Sequence, residues 1–423
     1  MPYRSRISAI VVYSVISAAF IGPGTITTSV TAGASFGLQL LWAVTLGTLG
    51  CLVLQETAAR IVIGSSLNLK EAAARASGKK GVNLVTITGL VIILGCAAYE
   101  AGNILGAVSG LNILTGTDMR LLTLIVGLTV SAILWFNKRH LISAIMTFLV
   151  ALMGAAFIAL AFQQDFSSRE LIVSASVPQI PAGSALLVLG LVGTTIVPYN
   201  IFLGSGISRD KTMAEMRIGL TVSVLTGGLI TGAIVVAGTA VNGFSSFPEL
   251  AGMLERKMGN VGSWALAVGL FAAGFSSSVT APYAASLVAA TIFGWDKPGR
   301  LRWVWGLVLI TGLIFGLSGI KPIPVILTVQ ALNGLILPLL VALLTILVNH
   351  PKVLPAALRP SLYYTTVLLM VFGSITVIGF NQVEKTFLSA GWLTASRPEL
   401  LVGLSLICTL LLGYAIMRNS RSA

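Results

Sequence analysis

Glu100 stands as a single carboxyl in the middle of an apolar run near residues 82–107, within Ala97-Ala98-Tyr99-Glu100-Ala101-Gly102-Asn103. An ionisable group so placed is expensive to bury, and taking up and releasing a proton is the chemistry it suits. Two tetrads, Gly22-Pro23-Gly24-Thr25 and Val197-Pro198-Tyr199-Asn200, each interrupt a long apolar run. Proline removes an N–H and clashes with the preceding turn, so each tetrad breaks a helix and bares its backbone groups. Hydroxyls crowd the first break: Thr25, Thr27, Thr28, Ser29 and Thr31. Tyr199 and Asn200 border the second, Gln330 and Asn333 lie in a later apolar run, and Ser276, Ser277, Ser278 and Thr280 form another hydroxyl group. Half-helix N-termini carry partial positive charge, so the set reads as a polar, uncharged cavity that suits a small anion or zwitterion. No hydrolytic triad, phosphate loop or His/Cys ligand cluster is legible. An enzyme is not expected, and His140 and His350 are expected to be solvated.

The elements that must position these groups follow from composition. The chain has 423 residues, of which 56 % are hydrophobic and 9 % charged, with a mean hydropathy of +0.96. Too few polar residues exist to coat a water-soluble domain, and the alternation of a β-barrel is absent. Runs long enough to cross a bilayer recur at about 7–36, 38–62, 82–107, 119–136, 141–162, 184–207, 216–240, 262–293, 303–319, 323–349, 361–380 and 399–417. The fold class is therefore an all-α polytopic membrane protein with 11–12 transmembrane helices, the first and sixth interrupted. Two inverted five-helix repeats (about 7–162 and 184–349) and two C-terminal helices (about 361–417) form one transporter domain, since paired broken helices mark such a binding site.

Charge placement accounts for the net charge of +13 without a nucleic-acid partner. With the N-terminus in the cytoplasm, most of the Lys and Arg fall on that side, and only Arg120, Arg169, Arg256, Lys257, Lys321, Lys385 and Arg397 fall outside. That asymmetry sets orientation in a cell membrane. Cys51, Cys96 and Cys408 sit unpaired in apolar runs and read as small buried hydrophobes. The segment 65–80 reads as an amphipathic helix at the inner interface, the connection 163–183 is long enough for a short surface helix, and Glu56 is positioned for an i,i+4 pair with Arg60.

Three patterns carry a resemblance. The run from Gly269 to Ala285, the run from Gly193 to Leu203, and Pro23-Gly24 followed by Ala32-Gly33-Ala34-Ser35-Phe36-Gly37 resemble, in order, the eighth, sixth and first helices of the Nramp family of divalent-metal transporters. The resemblance implies the LeuT-type fold. It also implies that Gly22, Thr25, Val197 and Tyr199 stand where the family has Asp, Asn, Met and His, and that Gly204 stands where it has a further His. Gln330 resembles a retained family ligand. Glu100 resembles the first acid of the family's proton route, with Asn103 in place of the second.

A divalent ion needs anionic or soft ligands to replace its water, and the two breaks retain none. The expected function is a secondary transporter, proton-coupled through Glu100, for a small carboxylate or amino-acid-like solute. The expected binding residues are Gly22, Gly24, Thr25, Thr28, Val197, Tyr199, Asn200 and Gln330. Ser277 and Ser278 form a candidate sodium site, as hydroxyls on this helix do in some LeuT-type transporters. No resident metal or other cofactor is expected; the partners are the solute or ion and the lipid bilayer, and a monomer is the expected state. The alternatives are divalent-cation transport through an altered site and a membrane sensor or scaffold that no longer transports.

Overall fold

The computed structural model describes residues 3–136, 139–295, 297–389 and 397–421, and the side chains of Gln330 and Asn333 lie outside the described residues. The helices are α1 (Tyr3–Phe20), α2 (Pro23–Phe36), α3 (Leu41–Ser65), α4 (Leu69–Thr115), α5 (Met119–Phe136), α6 (Arg139–Ala161), α7 (Ser168–Ser176), α8 (Ala185–Thr195), α9 (Pro198–Ile207), α10 (Met213–Gly238), α11 (Phe247–Met258), α12 (Asn260–Phe293), α13 (Pro298–Leu317), α14 (Pro322–Asn349), α15 (Leu362–Ser389) and α16 (Pro398–Arg421). No strand occurs among the described residues. Ten helical stretches there are apolar and long enough to cross a bilayer, and the bent pair α1–α2 makes an eleventh. Helices dominate because hydrocarbon offers no partner for backbone N–H and C=O groups, which must pair within the segment.

Burial separates centre from rim. The apolar windows of α12 and of the α8–α9 stretch are 83 % buried, against 22 % for α13 and α16. The broken pairs and α12 therefore form the centre, while exposed Leu128, Trp303 and Leu410 face outward from the periphery. Polar segments end in caps: Asn68 with Glu71, Ser167 with Glu170 and Thr212 with Glu215 each exchange side-chain and backbone hydrogen bonds at a helix start.

Two local expectations meet their structure here. The segment 65–80 is helical from Leu69, but Ser77 and Gly78 leave helical geometry, so a short piece turns before entering the span. Lys70 Nζ donates to Ile292 O at 2.6 Å and ties that piece to the end of α12. Arg60 grips both carboxylate oxygens of Glu56, as its spacing implied, and Tyr364 adds a hydroxyl donated to Glu56 Oε2 at 2.6 Å.

Other details depart from expectation. Residues 241–261, a polar stretch between two apolar runs, carry α11, whose start was legible as Ser246 three residues before Glu249. His350 is buried at the end of α14 rather than solvated. Glu384 is also buried, accepting from Arg397 N at 2.7 Å, because α15 continues past its expected end near residue 380.

The central contact is α4 against α12, and it is close because small residues line it. A Cβ at Gly274 would collide with the backbone of Ala107 and Asn103, atoms that cannot swing aside. Membrane helices gain most of their association from such packing. Gly274→Ala is expected to cost about 2 kcal/mol through overpacking, read as a fall in melting temperature. Gly299→Ala, at an exposed position with nothing nearby, should melt like the parent. Equal melting of both variants would contradict the close crossing.

Candidate functional site

The first break turns through 63° between α1 and α2. Gly22 caps α2 in extended geometry (φ −104, ψ 180) and has no side chain with which to accept from the first N–H groups. At the second break Ile196 and Val197 leave helical geometry, and Val197 caps α9 without a side-chain hydrogen bond. Pro23 and Pro198 open the two half-helices, where a missing N–H costs nothing. Two helix N-termini thus face the middle of the molecule with no acceptor from their own caps.

The C-terminal end of α1 is treated in the opposite way. Asn200 Nδ2 donates to Ile16 O at 3.1 Å, Ser276 Oγ to Ala18 O at 3.2 Å, Tyr199 OH to Ala19 O at 2.8 Å and Thr25 Oγ1 to Phe20 O at 2.8 Å. Ile21 N takes the remaining carbonyl, Ser17 O, at 3.2 Å. Every carbonyl from residue 16 to residue 20 has a donor, four of them from side chains on α2, α9 and α12. Thr25 and Tyr199, both among the expected binding residues, turn their hydroxyls onto this helix end. Asn200 spends its amide N–H there but keeps Oδ1 buried and without a partner.

Glu100 is fully buried on α4. Its Oε2 accepts from Asn103 Nδ2 at 3.2 Å, while Oε1 has no partner. Asn103 Oδ1 lies 3.8 Å and Ser277 Oγ 3.1 Å from where a Cβ on Gly22 would stand. Asn103 of α4 and Ser277 of α12 therefore meet Gly22 at the first break, with the Ser277 hydroxyl buried and unpartnered, while Glu100 is hydrogen-bonded behind Asn103 with its Cγ against Gly312 of α13. Ser278 behaves differently: its hydroxyl donates to Gly274 O at 2.9 Å and lies beside the Glu100 carboxyl. Of the two candidate sodium-site hydroxyls, one faces the break and the other does not.

Gly24 is buried in the first turn of α2, and Thr28, one turn on, places its methyl 3.0 Å from the Cβ position of Gly190 on α8. Gln330 belongs to α14, but its side chain lies outside the described residues. Tyr99 and Tyr199 meet edge to face with ring centres 5.7 Å apart, closing the α4 side of the second break. Sequence reasoning overlooked Gln55. This α3 side chain is fully buried with neither amide atom hydrogen-bonded, and its Oε1 presses on Gly204 of α9. Its signal was a lone amide inside an apolar run, masked by the neighbouring Glu56–Arg60 pair.

Against this geometry, the profile of the natural resistance-associated macrophage protein-like family, Nramp, matches residues 14–383. The chain belongs to the Nramp family. A divalent metal cation transporter MntH of Caldanaerobacter subterraneus subsp. tengcongensis is 24 % identical over 357 residues, covering 80 % of this chain and 84 % of the relative. The fold matches a manganese transporter of Eremococcus coleocola with a TM-score of 0.77 at 19 % identity, over 99 % of this chain and 95 % of that one. It also matches MhsT in complex with L-phenylalanine, with a TM-score of 0.63 at 14 % identity, over 88 % of this chain and 98 % of that one. This Nramp protein is thus a multi-pass membrane transporter of LeuT-type fold, and not an enzyme. The names of its metal-transporting relatives favour a divalent cation as cargo over the organic solute expected from the sequence.

Proposed function

We propose that this Nramp protein carries a small carboxylate or zwitterion across the membrane together with a proton. The observation that carries the reading is the opposite treatment of helix ends at the breaks. The carbonyls at the end of α1, which a cation would need, are occupied by four side-chain donors. The N-termini of α2 and α9, which an anion would need, have no capping side chain. Among the described residues no group of three or more His, Cys, Asp and Glu gathers that could hold a metal ion. An anion and a proton on Glu100 cancel in charge, so binding them together is the least costly arrangement away from water.

The reading places the protein in the cell membrane with its N-terminus in the cytoplasm, as a monomer of two five-helix repeats. The basic excess on one side supports the orientation. A second reading, divalent-cation transport, is favoured by the metal-transporting relatives and by the oxygens of Asn103 and Ser277 beside Gly22. Thermal unfolding of the purified protein separates the two, because a ligand that binds only the folded state raises its melting temperature. Small carboxylates should raise it in a concentration-dependent way, and Mn²⁺, Fe²⁺ and Mg²⁺ should not. Stabilisation by a divalent ion at micromolar concentration, with none by any carboxylate, would reverse the assignment.

A further inference from the structure

Gln55 presents an imbalance that the junction described above does not use. Both polar atoms of its carboxamide are buried without a hydrogen-bond partner in the protein. Leaving one such group unpaired away from water is a substantial penalty, and here donor and acceptor are unpaired together. The surroundings are specific. Gly204 has no side chain where a Cβ would collide with Gln55 Oε1, and Ile16 Cδ1 lies 3.3 Å from the same point. Ile16 also offers the carbonyl that holds Asn200 Nδ2, and Asn200 sits one helical turn before Gly204 on the same face of α9. The orphaned Asn200 Oδ1 and the Gln55 carboxamide against Gly204 are therefore one turn apart along α9, on the face where α1 and α3 pack against it.

The demand this places on a ligand is definite. Gln55 Oε1 and Asn200 Oδ1 accept, whereas Gln55 Nε2 donates. A carboxylate alone answers only the donor, and an ammonium answers only the acceptors. A primary amide or a lactam presents N–H and C=O on the same side and answers both, forming the reciprocal two-bond pair that one carboxamide makes with another. We propose that Gln55 is a specificity-determining residue, and that the transported solute is a carboxylate carrying a primary amide or lactam, the carboxylate at the half-helix N-termini and the amide on Gln55. This rests on the anionic-solute reading of the same junction and narrows it.

The test uses two probes of similar shape, succinamate and monomethyl succinate, which differ in whether the far end can donate a hydrogen bond. Their affinities for the full-length purified protein are measured by calorimetry and by competition in proteoliposome uptake. Succinamate should bind about tenfold or more tightly, the loss expected when an ester leaves buried acceptors unpaired. Gln55→Leu should erase that preference by weakening succinamate, and its ligand-free melting temperature should match or exceed the parent's, since an unpaired amide is removed. Equal affinity of the two probes for the parent overturns the inference while leaving the carboxylate reading standing. A preference that survives in Gln55→Leu overturns it as well. Binding of neither probe, with carboxylates as a class inert, removes the underlying reading and this inference with it.

Discussion

Replacing Glu100 by glutamine is expected to abolish substrate-driven proton movement. The carboxamide has the same shape and can still accept from Asn103, whose Nδ2 lies 3.2 Å from the carboxylate. It cannot carry a proton. Glu100 is the one carboxyl among the residues named at this junction, so coupling has no other acid there. In proteoliposomes with an internal pH dye, the parent should acidify the lumen when a carboxylate substrate is added outside. The variant should show at least about a tenfold smaller signal, with melting temperature and ligand-induced stabilisation retained. Acidification at the parental rate would take Glu100 out of the coupling role.

Gly22→Asp is expected to reverse the preference of the junction. A carboxylate at this position caps the N-terminus of α2, and Asp is among the preferred N-cap residues, so the fold should accept it. Its Cβ meets Ser277 Oγ at 3.1 Å, close enough that the hydroxyl must turn slightly and then donate to the new carboxylate. A fixed negative charge about 5–6 Å from a bound anion opposes it by roughly 3 kcal/mol at an effective dielectric near 20. Carboxylate affinity should fall about a hundredfold, and Mn²⁺, for which the parent should give no saturable uptake and no heat of binding, should acquire measurable affinity. Micromolar Mn²⁺ binding by the parent, or carboxylate affinity untouched by the substitution, would argue that the breaks do not carry the field assigned to them.

Much of the architecture is legible along the chain because the bilayer constrains it severely. An apolar run long enough to cross hydrocarbon has one ordinary fate, so the order of spans needed no tertiary information. The same holds for both breaks, since proline acts on its own turn, and for the Glu56–Arg60 pair, since i,i+4 neighbours meet on any helix. The helix α11 was written locally as well, in Ser246 and Glu249, and was missed beneath the polar character of its segment.

Side-chain direction was a different matter. Thr25, Tyr199 and Asn200 are polar residues beside a break, and nothing in their spacing says whether they face a solute or another helix. Only the packing of α2, α9 and α12 around the end of α1 shows them meeting carbonyls of residues 16, 19 and 20. The approach of Asn103 and Ser277 to Gly22, and the stranded amide of Gln55 against Gly204, arise in the same way, between residues far apart in the chain. The sequence by itself determined a membrane-embedded helical chain, its two broken spans and the absence of fixed charge at the breaks. Tertiary structure alone decided which polar atoms are consumed and which are left over, because a hydrogen bond is settled by distance and direction between helices, and neither is encoded in the order of residues along one of them.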